Sequence, residues 1–360
     1  MEETTERQAL RGAVQALVAS HQDTHQAGAD DLRLWRRLCG EIGVAGLAVP
    51  ERFGGAGAGP VEVSVVLEEL GRALAGTPML GSAVLASQAL LASGDEAACA
   101  ALLPGLADGT AIATLAWTTA AGHWDADVVA CRATATAGDD WVIDGEAHYV
   151  LDGDLATVLL VPALMPAGIG LFAVRPAQPA VTCRACTTVD QTRRLAVIRL
   201  ETATGARIGG LAELAAARDA ACIGLSAEQA GAAARALEIT VEYTKARVQF
   251  GRPIGSFQAL QHRMADLHVQ VEAARSVCYA AAEAAQRGAP DVALRAATAR
   301  VYCSEALQRV SAEMLQLHGA IAMTWEHPAH RYFKRAHGDA QLLGTPAEHV
   351  ARIADAIVDG

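Results

Sequence analysis

Residues 243–262 read YTKARVQFGRPIGSFQALQH. The long alanine-rich run before this stretch and the run after it both carry apolar residues at helical spacing. A tight turn between two helices needs only a few polar residues. The break from Phe250 to Gln258 is longer and chemically richer than that. Arg247, on the last helical turn, brings a bidentate donor suited to phosphate. Phe250 and Phe257 bring flat apolar faces, and Gln249 and Gln258 bring donor–acceptor pairs able to grip a base or a ribose. The same residues also fit a helix C-terminus capped by Arg247 and followed by an ordinary turn, and side-chain chemistry alone leaves both readings open.

Working outward, the pattern divides the 360 residues into three parts. Residues 1–110 read as helices with short breaks, DDLRLWRRLCGEIG and VEVSVVLEELGRALAG among them. The glycines of VPERFGGAGAGP form no phosphate loop, since no strand precedes a GxGxxG and no GK[ST] follows. Residues 111–208 change to a period of two: CRATATAGDDWVIDGEAHYVLDG is a hairpin about a Gly-Asp-Asp turn, and LATVLLVPAL, GIGLFAV and RLAVIRLET are further strands. Residues 209–360 are helical again, beginning with one long helix or a tightly joined pair, and including PDVALRAATARVYCSEALQRVSAEMLQLHG with its proline in the first turn. The expected fold is α+β and multidomain: a helical N-terminal domain, a β-barrel-like middle domain and a helical C-terminal bundle.

Composition narrows the partners. A net charge of −11 argues against nucleic acid and anionic membrane surfaces. MEETTERQAL has the polarity of an amphipathic helix rather than a signal peptide, and there is no apolar run of the roughly 18 residues a membrane span requires. The expected location is the cytoplasm. Of eight cysteines only Cys183 and Cys186 have CxxC spacing; without a second pair or a histidine cluster they read as half-buried strand or turn thiols, not a zinc or redox site.

YTKARVQFGRPIGSFQALQHRMADL resembles the signature of the acyl-CoA dehydrogenase family. VPERFGGAGAG with VLEELGRALAGTP, the hairpin GDDWVIDGEAHYVLDG, and MLQLHGAIAMTWEHPAHRYFKRA resemble the same family in the same order, from about residue 40 to 350. The resemblance implies helical, β and four-helix domains, FAD at a subunit interface, and an electron-transferring flavoprotein as acceptor. It implies that Arg247, Gln249, Phe250, Ile254, Phe257 and Gln258, completed by Gln316 and Gly319, hold the adenosine and pyrophosphate half of a FAD whose flavin sits in a neighbouring subunit. Thr118 and Thr345 are the further cofactor positions it suggests.

The chain departs from the family where the chemistry should be. Members take a proton α to the thioester with a carboxylate and pass a hydride to flavin. The base of the YEGT-like stretch falls at Leu343 in QLLGTPAEH, and the alternative base position falls at Ala221. Asp219 lies about 200° around the helix from Ala221, and Glu228 lies on the same face roughly 10 Å along the axis. Glu228 is the weak candidate for an unusual base, against a bland reading as a capped or salt-bridged surface position; Glu348 reads as solvated. The TEPxxGSD run becomes TTAAGHWD, with Trp124 for the serine; W-I-[ST]-N becomes Tyr149-Val150-Leu151-Asp152; and the late Gly-Gly becomes Gly319-Ala320. The arm that reaches a neighbour's FAD is thus kept while the chain's own half is lost. This resembles the non-catalytic subunit of the heteromeric acyl-CoA dehydrogenases of actinobacterial type, heterotetramers of lipid and steroid catabolism acting on bulky or steroid side-chain thioesters. The competing readings are a self-sufficient, homo-oligomeric dehydrogenase using Glu228, a flavin-free acyl-CoA hydratase or dehydratase using Asp152, His148 or His123, and a scaffold with no share in any active site.

Overall fold

The computed structural model describes residues 4–21, 29–125, 128–136 and 140–358. The first part of the chain forms α1 (Thr5–His21), α2 (Ala29–Arg37), α3 (Pro60–Arg72), α4 (Ser87–Ser93) and α5 (Glu96–Ala107). Local chemistry sets their ends. Pro60 opens α3 where its missing N–H costs nothing, and Asp95 caps α5 by accepting from the Ala98 amide at 2.9 Å. Between α2 and α3, VPERFGGAGAGP is a short 3₁₀ turn, Glu51–Phe53, followed by loop, as the absence of a phosphate-loop pattern predicts.

Strands follow: β1 (Ala113–Leu115), β2 (Cys131–Ala135), β3 (Trp141–Leu151), β4 (Val158–Met165), β5 (Gly168–Val174), β6 (Val181–Ala185) and β7 (Leu195–Gly210). β2 and β3 pair antiparallel as the predicted hairpin, although its Gly138-Asp139 turn lies outside the described residues. The strand order β1-β4-β2-β3-β7-β5 is closed by a further β4–β5 pairing, so β4, β2, β3, β7 and β5 form a ring, with β1 and β6 attached. This is the barrel-like layout expected, and it encloses a core that includes Ile143, Leu159, Val161, Phe172 and Ile198. Register shifts against β7 bend β3 at Ile143/Gly145 and again at Ala147/Val150. Gly145, at φ +147°, is required at the first: a Cβ there would lie 2.6 Å from the Ala130 carbonyl oxygen.

Past residue 210 the chain is helical: α6 (Leu211–Ala246), α7 (Gln258–Gln286), α8 (Val292–His318), α9 (Ala329–Asp339) and α10 (Pro346–Val358). The long alanine-rich run is thus one helix of 36 residues, not a joined pair. A ladder of two short strands, β8 (Val248–Gln249) and β9 (Arg252–Pro253), separates α6 from α7. α8 packs against α7, α9 and α10.

Two compact units result. One holds Ser64–Ala75 with Cys222–Gly360, and the other is built mainly from 8–63 and 76–221. In the first unit, α3 crosses α6 at backbone contact. A Cβ on Gly71 would stand 2.0 Å from the Glu228 carbonyl oxygen, and one on Gly231 would stand 1.9 Å from the Glu68 carbonyl oxygen. Around this crossing the Tyr332 hydroxyl donates to the Arg72 carbonyl at 2.6 Å, and Arg72 pairs with Glu238 at 2.7 Å. Buried Glu68 accepts from Tyr279 at 2.6 Å and pairs with Arg275 at 3.1 Å.

All eight cysteines are free. Burial pushes the Cys39, Cys131 and Cys303 thiols up to about 12. Cys183 is exposed on β6 rather than half-buried, while Cys186 is intermediate. Among the described residues no cluster of metal-binding side chains occurs, and no helix is long and apolar enough to cross a membrane.

The crossing gives the first prediction. Gly231→Ala forces its Cβ into the Glu68 backbone, which side-chain rotation cannot relieve, so it lowers stability by about 3 kcal/mol. A urea denaturation midpoint indistinguishable from wild type contradicts that assignment.

Candidate functional site

The helical unit carries the segment on which the sequence reading turns. α6 ends as the Arg247 amide donates to the Tyr243 carbonyl at 2.8 Å. The chain then reverses through a two-residue turn in which Phe250 (φ +53°) and Gly251 (φ +76°) both take positive φ. That geometry fits a tight hairpin and is unusual for phenylalanine. The turn brings Gln249 opposite Arg252 and Val248 opposite Pro253. The Ile254 amide closes the loop onto the Arg247 carbonyl at 2.8 Å, and a 3₁₀ turn, Ile254–Ser256, leads into α7.

Phe250 is 91% exposed on the tip. Its ring meets Phe257 edge on at 6.1 Å, and the Arg252 guanidinium lies 4.0 Å over the Phe257 ring. Arg247, Gln249 and Gln258 are exposed, while Ile254 and Phe257 are half-buried beneath them. So Arg247, Gln249, Phe250, Ile254, Phe257 and Gln258 all belong to one hairpin and the helix start that follows it. Arg252 was missed by the sequence reading. Its signal was the pairing with Gln249, which appears only once the two-residue turn is recognised.

Gln316 and Gly319 lie at the end of α8, both exposed. Gly319 ends that helix at φ +66°, and a Cβ there would meet nothing within 4 Å. Tyr243 of α6 stacks on His318 of α8 at 4.3 Å, tying the two helix ends together.

The fit of this surface to FAD follows from its donors. An exposed guanidinium, three exposed carboxamides and an aromatic ring standing clear of the surface match a diphosphate, a ribose and a purine. Phe250, 91% exposed, offers a free ring face on which a purine can stack.

The other predicted positions turn inward. In the β unit, Thr118 is 1% exposed and its hydroxyl donates to the His148 carbonyl, so that donor is spent within the protein. Trp124 is buried, edge on to Trp117 at 5.8 Å, and its carbonyl accepts from Arg218 at 3.5 Å. Leu151 is 1% exposed at the end of β3 and brings no hydroxyl. Beside it Asp152 is buried at φ +52°, close enough that a Cβ on Gly81 would lie 2.9 Å from its carboxylate. His148 pairs with Glu146 at 2.9 Å, and His123 is exposed. Ala221 is fully buried. Asp219 is half-buried, 3.7 Å from Arg218.

In the helical unit Leu343 is fully buried at φ +58°. Buried Arg300 fixes its turn, donating to the carbonyls of Asp339, of Leu342 at 2.8 Å and of Gly344 at 3.4 Å, while His349 Nε2 lies 2.9 Å from the Leu343 carbonyl. Thr345 caps α10: its amide and hydroxyl donate to Glu348 at 2.7 and 2.9 Å. Two readings are corrected here. Glu348 is the partner in that capping box rather than a solvated residue. Glu228 is buried rather than on the surface, its carboxylate 3.8 Å from buried Arg335. Thr118 and Thr345 each spend their hydroxyl within their own unit, and neither base position, Leu343 or Ala221, carries a carboxylate.

Glu228 therefore balances a buried charge. Glu228→Gln lowers unfolding stability by about 2 kcal/mol through Arg335. An unchanged denaturation midpoint means that the pairing carries no weight.

Comparison with known proteins bears on the family and the fold. The family model described as acyl-CoA dehydrogenase, N-terminal domain, matches residues 2–110, and that described as acyl-CoA dehydrogenase, C-terminal domain, matches residues 212–358. The chain is 43% identical over 356 residues to acyl-CoA dehydrogenase IpdE2 of Mycobacterium tuberculosis, covering 97% of this chain and 96% of that one. Among solved structures it is similar to the Tcur3481-Tcur3483 steroid ACAD, with a TM-score of 0.90, 33% identity and coverage of 99% and 98%. It is also similar to the ChsE4-ChsE5 complex from Mycobacterium tuberculosis, with a TM-score of 0.88, 30% identity and coverage of 100% and 99%.

Proposed function

This chain belongs to the acyl-CoA dehydrogenase family, and we propose that within it the chain is the non-catalytic subunit of a heteromeric, FAD-dependent enzyme that desaturates an acyl-CoA thioester. The observation that carries the reading is an asymmetry. Leu343, at the usual base position, is apolar and fully buried, whereas Phe250 and its neighbouring polar side chains stand out from the surface as a ready contact.

In this reading the chain's own residues bind and orient. Arg247 holds the pyrophosphate with a bidentate grip that a lysine could not reproduce. Gln249, Gln258 and Gln316 orient the ribose and base, and Phe250 with Phe257 covers the purine and excludes water. The backbone at Gly319 admits the cofactor closely because no side chain stands there. Bound FAD supplies the hydride acceptor. No residue of this chain takes the α-proton: that carboxylate comes from a partner chain of the same fold, in a heterotetramer with two chains of each kind. The acceptor for the loaded enzyme would be a cytoplasmic electron-transferring flavoprotein. The likeness to a steroid ACAD supports a bulky, steroid-derived acyl group as substrate.

The purified chain alone is expected to be nearly colourless and inactive, and co-expression with its partner is expected to yield one FAD per pair. About one FAD per isolated chain, with turnover, overturns the reading in favour of a self-sufficient enzyme. Arg247→Ala is expected to weaken FAD binding in the complex by about tenfold to a hundredfold, as loss of a charge-assisted bidentate contact requires. Unchanged affinity makes the chain a scaffold.

A further inference from the structure

The segment joining α8 to α9 carries a row of rings that the cofactor arm does not explain. His318, sandwiched against Tyr243, also lies 4.4 Å from the ring of His327. His330 meets Trp325 edge on at 4.8 Å, and the Lys334 ammonium stands 4.6 Å over the same indole. The 65% exposed Trp325 and 77% exposed Met323 thus sit on a segment held from beneath by imidazoles.

The hydrogen bonds suit the neutral rings. His318 is 3% exposed, and its Nδ1 lies 2.7 Å from the Met314 carbonyl, so Nδ1 carries the proton and donates. That leaves Nε2 as the lone-pair nitrogen, buried and without a partner. His330 Nε2 is likewise buried without a partner. His327 Nδ1 accepts from the Ala329 amide at 3.2 Å. A second proton on His318 would point a charged donor at no acceptor, at a cost in a desolvated place.

The surroundings add to that cost. Tyr243 faces the stack from α6, and Arg331 and Lys334 face it from α9. The charges acting on His327 are His318 and His330, and those acting on His330 are Lys334 and Arg331, all of them basic. Glu326, the carboxylate of the segment itself, is exposed to solvent.

We propose that residues 319–328 form an acid-operated catch, closed on His318 of α8 and on α9 while His318, His327 and His330 are neutral and released when they gain charge. Burial, first of all, holds each of the three rings below the ordinary histidine value. The unfastened segment binds more protons than the closed one, so closure is complete at neutral pH and is lost as the pH falls below about 6.5. Gln316 and Gly319 adjoin the catch, so if the cofactor-arm reading holds, acid also loosens FAD.

The test needs no cofactor and so stands apart from that reading. Hydrogen exchange of the full chain is followed by mass spectrometry at about pH 7.5 and about pH 5.5, corrected for the chemical exchange rate. Amides from the end of α8 to the start of α9 are expected to exchange about tenfold faster at the lower pH, while those of α5 are unchanged. The variant His327→Gln/His330→Gln is expected to lose most of that acceleration. An unaltered segment, acceleration of α5 in step with it, or an equal response in the variant overturns the proposal. Should the variant fail to fold, ¹³C-histidine resonances of the wild-type chain decide: three rings titrating together below about 6.5 support the catch, and three ordinary titrations overturn it.

Discussion

The helical unit depends on a contact too close for any side chain. Gly71 of α3 and Gly231 of α6 each abut a carbonyl oxygen on the other helix, at Glu228 and Glu68 respectively. The two glycines are reciprocal: each helix supplies both a gap and the backbone that fills the other's gap. Two buried carboxylates lie at the same crossing. Glu68 can be buried because Tyr279 and Arg275 reach it, and Glu228 can be buried because Arg335 does. Tyr332 closes the arrangement through the Arg72 carbonyl, and its own hydroxyl is pushed up to about 12 chiefly by burial.

Much of the architecture was legible because it rests on periodicity. The alternation of residues 131–151 gave the hairpin, and the alanine-rich run gave α6. The ladder Val248–Pro253 was not legible, because a two-residue turn led by phenylalanine lacks the Asn-Gly or Asp-Gly chemistry that announces one. The burial of Glu228 was hidden for a different reason. Its partner Arg335 lies more than a hundred residues further along the chain, and a charge on a helix face looks the same whether it meets water or a buried guanidinium. The role of Glu348 was legible in the sequence, since Thr345 stands three residues before it, which is capping-box spacing.

The candidate site divides along the same line. Its outward residues were named from residue chemistry and family resemblance, and the structure sets these glutamines, an arginine and a phenylalanine together on one exposed hairpin and helix start. Its inward residues could be named but not interpreted. Thr118 spends its hydroxyl on the His148 carbonyl, and the Leu343 turn persists at positive φ, held by Arg300 and His349, although leucine brings no acid to it. A backbone held so firmly around an apolar, fully buried side chain makes this turn a packing element.

The ring of strands β4, β2, β3, β7 and β5 has a further effect, on association. An open sheet offers rows of unpaired amides and carbonyls on which another chain can build. Here those rows face one another, and the strands attached outside the ring are short: β1 has three residues and β6 has five. Backbone templating from the β unit is thereby confined to short edges. Recognition of this unit then falls mainly to side chains rather than to sheet extension, and recognition of that kind can be selective between near-identical folds.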